Sequence, residues 1–138
     1  MRELATKNLW RVTMYQIEFY EDKDGNKPAR DYIKSLKKKK DKNSRIKVDR
    51  ITQYLRYLQE NGTFIGQPIV KHIENNIWEL RPDKDRIFFV VYLEGVFVLL
   101  HAFTKKKQKT PEKELERARA EYKDLLERGL KNNDKRKQ

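Results

Sequence analysis

Apolar and polar residues begin to alternate at 14–20, where Tyr15, Ile17 and Phe19 are separated by Gln16 and Glu18, the period of a half-buried strand. Asp24-Gly25-Asn26 ends that strand with a turn, and Pro28 stands where a helix starts. Ala29, Tyr32, Ile33 and Leu36 fall on one helical stripe. After a polar break at 41–44, Val48, Ile51, Tyr54, Leu55 and Leu58 form a second. The pattern predicts two packed helices. Gly62, Gly66 and Pro68 close the helical region, and 69–73 begins a run of strands. A last helix is expected with Thr110 as N-cap, Pro111 at its first position, Glu112 and Glu114 at its positive end and Gly129 beyond its last turn. Leu115, Ala118, Tyr122, Leu125 and Leu126 give it an apolar face. Residues 1–13 lack clear periodicity and are read as a peripheral extension, 14–129 as one domain, and 130–138 as a basic, disordered tail.

Strand geometry places the charged residues between 77 and 107. Joining 77–81 to 86–93 through the loop 82–85 sets Arg81 opposite Arg86 and Glu79 opposite Phe88. Glu94-Gly95 is a two-residue hairpin turn, which sets Phe88 opposite His101 and Arg86 opposite Phe103. Strict alternation then gives one apolar face (Trp78, Leu80, Ile87, Phe89, Val91, Leu93, Val96, Val98, Leu100, Ala102) that packs on the helices. The other face gathers Glu79, Arg81, Arg86, His101 and Lys105 at one end, with Phe88 and Phe103 among them. Val90, Tyr92, Phe97 and Leu99 occupy its far end. With Asn75-Asn76 as a further two-residue turn, His72 joins that face opposite Glu79, and a one-residue slip removes it.

Composition narrows the function. The 138 residues fit a single domain, and no internal repeat is visible. A formal net charge of +12 and a pI near 9.8 point to an anionic partner, nucleic acid ahead of a membrane surface or an acidic protein. Cysteine is absent, which removes disulfides and thiolate metal ligation and makes the cytoplasm the default compartment. The apolar stretch 87–103 is broken by Glu94-Gly95 and carries His101, so it reads as a hairpin and not a membrane span.

Arginines facing each other on neighbouring strands repel, so such a place either holds an anion or is open solvated surface. Plain solvent-facing strand caps remain the alternative. His101, following Leu99-Leu100, is either a hydrogen-bonded core residue or a proton donor. The lysine run 37–40, with Lys38 and Lys39 at its centre, is a solvated helix end that also attracts phosphates without sequence preference. Lys106, Lys107 and Lys109 extend the positive charge beyond the last strand. Trp78 belongs to the apolar face and reads as core.

Val70-Lys71-His72-Ile73 leading to Ile77-Trp78-Glu79-Leu80-Arg81, then Arg86, then Leu99-Leu100-His101-Ala102-Phe103-Thr104-Lys105-Lys106 with Lys109-Thr110-Pro111 before the last helix, resembles the RelE/ParE superfamily of bacterial toxins, in its HigB-like, phage-derived branch. The resemblance spans 15–126. It implies an α+β, RelE-like fold: an N-terminal strand, two packed helices, a curved antiparallel sheet and a C-terminal helix. It further implies a toxin of a type II toxin-antitoxin system that cleaves mRNA in the ribosomal A site without a metal or other cofactor. A cognate helix-turn-helix antitoxin, HigA-like, is the implied partner.

By motif position Arg86 matches the arginine after the central loop, Lys105 the basic residue ending the last strand, and Arg81 a further arginine closing the preceding strand. RelE itself carries a lysine where this chain has Glu79 and another where it has Ile77, and its tyrosine near the last helix is replaced by Thr110-Pro111. Related members use a Glu and His pair, so Glu79 with His101 is a substitute pairing. On this reading Arg81, Arg86 and Lys105 stabilise the phosphorane charge, Glu79 or His101 moves protons, and His72, Lys106, Lys107, Lys109, Lys38 and Lys39 bind RNA. ParE-like relatives inhibit gyrase instead, and a non-enzymatic RNA- or ribosome-binding role is the third possibility.

Overall fold

The computed structural model describes residues 14–130, so the expected extension at 1–13 and all of the expected tail after Leu130 lie outside the described residues. Strand β1 (Gln16–Phe19) precedes helices α1 (Pro28–Lys38) and α2 (Lys42–Asn61). Strands β2 (Val70–Glu74), β3 (Ile77–Leu80), β4 (Asp85–Leu93) and β5 (Val96–Thr104) follow, and helix α3 (Glu112–Arg128) comes last. The architecture is mixed α+β, as expected. Among the described residues no helix is long and apolar enough to cross a membrane.

Local chemistry explains most boundaries. Pro28 opens α1, which buries Ala29, Ile33 and Leu36. The polar break at 41–44 turns out to be the first turn of α2: the Asp41 carboxylate accepts the Ser44 amide at 3.0 Å and the Ser44 hydroxyl at 2.8 Å. Gly62 closes α2 at φ +64, and a side chain there would collide with the Tyr15 ring at 2.6 Å. Both constraints select glycine. Helix α3 starts one residue later than predicted. Pro111 occupies the N-cap and Thr110 turns elsewhere.

The sheet order is β1-β5-β4-β3-β2. The expected antiparallel sheet is formed by β2 to β5, and the N-terminal strand joins its edge: β1 runs parallel to β5, with Gln16 beside Val96 and Phe19 beside Leu99. A parallel neighbour needs a long crossover, and α1 with α2 supplies part of it. The hairpin pairs predicted near its open end are present: Glu79 opposite Phe88, Phe88 opposite His101, and Arg86 opposite Phe103. The Glu94-Gly95 turn joins β4 to β5 with Gly95 at φ +76.

The predicted division of faces fails in the middle of the hairpin. The register shifts once between Phe88 and Phe89 and back between Val91 and Leu93. Leu100 is extra on β5 and Tyr92 on β4, so the two bulges cancel. Between them Phe89 pairs with Leu99 and Val91 with Phe97. Phe97 and Leu99 therefore pack with Ile33, Leu58 and Phe89 beneath α1 and α2, while Val98 and Leu100 pack with Phe88, Ala118 and Leu125 beneath α3. Helices cover both faces of the sheet. Leu130, just past α3, is itself buried in the second cluster.

Candidate functional site

At the open end of the β3–β4–β5 meander, one face carries charge. Glu79, in the middle of β3, is fully buried. Its Oε1 lies 3.5 Å from Arg81 Nε and 3.7 Å from Arg86 Nε, and its Oε2 accepts the Thr110 hydroxyl at 3.1 Å. The two guanidinium contacts are longer than hydrogen bonds. Glu79 Oε1, Arg81 Nε and Arg86 Nε thus face one another in the interior without a hydrogen-bond partner among the described residues. One carboxylate sits between two cations.

The loop 82–85 aims Arg86. Arg86 Nη1 donates to the carbonyls of Asp83 at 2.7 Å and Asp85 at 2.8 Å. Asp83 adopts φ +55, a left-handed conformation that aspartate tolerates better than most residues. The Asp85 carboxylate, itself buried, fastens this loop to the helices: it accepts Tyr32 Oη–H at 2.5 Å and Thr104 Oγ1–H at 3.2 Å, and pairs with Lys47 at 3.5 Å. Burial and the Asp85 charge push the Tyr32 hydroxyl up to about 12, so it stays a proton donor.

Lys105 follows β5, its amide bonded to the Lys84 carbonyl at 2.7 Å. Partial burial, Arg86 and Arg81 hold its ammonium below the usual lysine range. Burial and Arg81 likewise lower Arg86. A cleft of 750 Å³ is lined by Arg81, Lys84, Arg86, Lys105, Lys106 and Lys107, with Asp83, paired to Arg50 at 3.3 Å, as its one acidic residue. Such clustering of like charge is unfavourable in isolation and favours a bound anion.

The structure brings Glu79, Arg81, Arg86, Lys105, Lys106 and Lys107 together. His101 shares their sheet face but is enclosed elsewhere, its Nδ1 2.6 Å from Glu121 and its Nε2 3.0 Å from Glu114 on α3. No contact joins it to Glu79 among the described residues. His72 does not reach Glu79. The Asn75-Asn76 turn is present, but a bulge at Ile73 shifts the ladder by one and pairs His72 with Trp78, their rings 4.9 Å apart. Lys71 takes the place opposite Glu79. Lys109 lines an adjoining depression, and Lys38 and Lys39 lie exposed at the end of α1. Among the described residues no group of three or more His, Cys, Asp or Glu side chains is arranged to hold a metal.

A family model of phage-derived Gp49-like proteins (DUF891) matches residues 31–123, from α1 into α3 and across the whole cleft. The chain belongs to the Gp49-like family. That family lies within the RelE/ParE-like toxin superfamily, which makes a toxin-like protein with a cognate antitoxin the coarse functional assignment. No curated protein matches the sequence. Within the Gp49-like chain, Lys71, Thr110 and Asp85 are the site residues that sequence reasoning missed.

Proposed function

We propose that this Gp49-like protein is a HigB-like toxin: a metal-independent endoribonuclease that cleaves mRNA engaged on the ribosome and is silenced by a helix-turn-helix antitoxin. The observation that carries the reading is the unfinished charge at the sheet end. Two buried guanidinium Nε atoms and the neighbouring Lys105 face a single buried carboxylate, an excess of positive charge that a phosphate would balance.

In this mechanism Arg81 and Arg86 hold the non-bridging oxygens of the scissile phosphate. The ribose 2′-oxygen attacks phosphorus as its proton passes to solvent, the bond to the 5′-oxygen breaks, and Lys105 protonates that leaving oxygen. The products are a 2′,3′-cyclic phosphate and a 5′-hydroxyl end. A lysine with a lowered pKa is a better acid for this step, and fixed cations stabilise the dianionic transition state. Glu79 is too enclosed to meet substrate and orients the arginines. The ribosome supplies in-line geometry, whose contribution exceeds that of any single proton transfer.

Mapping transcript ends after brief induction tests the proposal. Codon-spaced 5′ ends that require translation and vanish in Arg86→Ala are the expected result. DNA breaks without such ends would assign the protein to gyrase inhibition instead. RNA binding without cleavage in a translating extract would reduce it to a binding protein.

A further inference from the structure

The basic cleft continues past Lys105. A second depression of 470 Å³ shares Arg81, Lys105 and Gln108 with the first and runs on along β2 toward the start of α3. Lys71, His72 and Lys109 line it together with the apolar Ile73 and Leu115. Building on the phosphate-site reading above, we propose that this second cleft seats the neighbouring nucleotide of a single-stranded RNA. Lys71 and Lys109 take the flanking phosphate.

Three observations carry the assignment. The first is uncompensated charge. Lys71, Lys105, Lys106, Lys107 and Lys109 enter none of the ion pairs found among the described residues; the same holds for Lys113 and Lys123 on α3, but only the first five gather around two joined clefts. Glu112 borders the second cleft, yet it is engaged by Arg119 at 3.1 Å. The second is register. The bulge at Ile73 sets Lys71 opposite Glu79 and so on the face of Arg81, and Lys71 contributes to the lowered pKa of Lys105. The third is the pairing of surfaces. A free phosphate fills one basic pocket, whereas two such pockets sharing a cationic wall fit a chain of regularly spaced phosphates. The apolar Ile73 and Leu115 in the lining suit a sugar or an unstacked base, which a duplex does not present.

Binding of the intact chain to a cleavage-resistant 2′-O-methyl RNA 10-mer, measured across a salt series, tests this without requiring activity. Each phosphate contact on a single strand contributes roughly 0.7 to the slope of log affinity against log salt. Lys71→Ala with Lys109→Ala, which empties the one flanking phosphate contact, is expected to flatten the slope by about 0.7 and to leave affinity for inorganic phosphate unchanged. Lys34→Ala with Lys123→Ala, removing equal charge from exposed helix surface, is expected to change neither. A slope unaltered in the first pair but flattened in Arg86→Ala would overturn the second subsite and leave the phosphate site standing. Equal flattening by both lysine pairs would also overturn it, by making the attraction delocalised. Failure of the wild type to bind the 10-mer or phosphate more tightly than Arg86→Ala would remove the underlying phosphate-site reading, and this subsite with it.

Discussion

Two ionic clusters lie on the same face of the sheet, and they are built in opposite senses. Around Glu79 one carboxylate meets Arg81 and Arg86, with Lys105 beside them. Around His101 one imidazole meets Glu114 and Glu121, and Arg117 closes the far oxygen of Glu121 at 3.2 Å. The second cluster is complete. Each ring nitrogen has a carboxylate partner, the ring lies tilted against Phe88 and Phe103, and its work is to fasten α3 to β5. The first is left with buried nitrogen atoms lacking acceptors, and polar capacity left unspent in an interior is costly unless something else uses it. Closed ionic chemistry belongs to the fold, and open chemistry to a ligand.

Arg86→Ala breaks this contrast most strongly. Loss of one preorganised charge at a developing oxyanion is expected to slow transcript cleavage by about 10² to 10³-fold, measured as the rate at which new 5′ ends appear in a translating extract. A variant that cleaves as fast as wild type would place the chemistry outside this cluster.

Glu79→Gln sharpens the same side. Removing the shared carboxylate leaves two guanidinium groups facing each other, expected to cost about 2 kcal/mol, less than the ~3–5 of a fully enclosed pair because solvent reaches Arg81. Phosphate should then raise the melting temperature of Glu79→Gln more than that of wild type, since the anion replaces the lost charge. Equal shifts would mean that the anion does not sit between these arginines.

The pairs that frame the site were legible because polar residues marked parity. Glu79, Arg86 and His101 each interrupt an apolar run, and their neighbours Phe88 and Phe103 were placed correctly. The stretch from Val96 to Leu100 is apolar at every position, so periodicity could not reveal that Leu100 bulges and moves Phe97 and Leu99 to the helix side. The Asn75-Asn76 turn was readable, but the bulge at Ile73 was not, and it exchanged His72 for Lys71 beside Glu79. Charge alone also could not separate a proton carrier from a buried counterion. The partners of His101 did leave a trace: Glu114 and Glu121 are seven residues apart on the stripe that buries Ala118 and Leu125, a spacing that puts two carboxylates on the core side of α3.

His101→Gln examines the closed cluster. For both ring contacts to be hydrogen bonds, the ring carries two protons or one carboxyl retains its own. Glutamine cannot serve both acceptors, so a loss of about 2 kcal/mol in unfolding free energy is expected from the stranded carboxylate. The salt slope for RNA should not change, and cleavage should persist at temperatures where the variant is folded. Cleavage lost with stability and RNA binding intact would instead restore His101 as a proton carrier.

The smallest effect is assigned to Tyr32→Phe, which loosens the anchor of the loop behind Arg86. Deleting the hydroxyl removes its bond to Asp85 and its 2.8 Å contact with Thr104, a change of about 1 kcal/mol near neutral pH. The alkaline range carries the sharper signature. Tyr32 ionises at about 12 in the folded chain against 10.0 for the unperturbed group, so between those values the unfolded chain gives up a proton that the folded chain keeps. Stability from this residue is complete below pH 10 and lost as pH rises through 12. Tyr20, raised by burial and by Asp124, acts in the same direction, so Tyr32→Phe should remove only part of the alkaline slope in melting temperature. A slope identical to wild type would show that the Tyr32 hydroxyl is not bound to Asp85, and that the Asp85 carboxylate is held by Lys47 and Thr104.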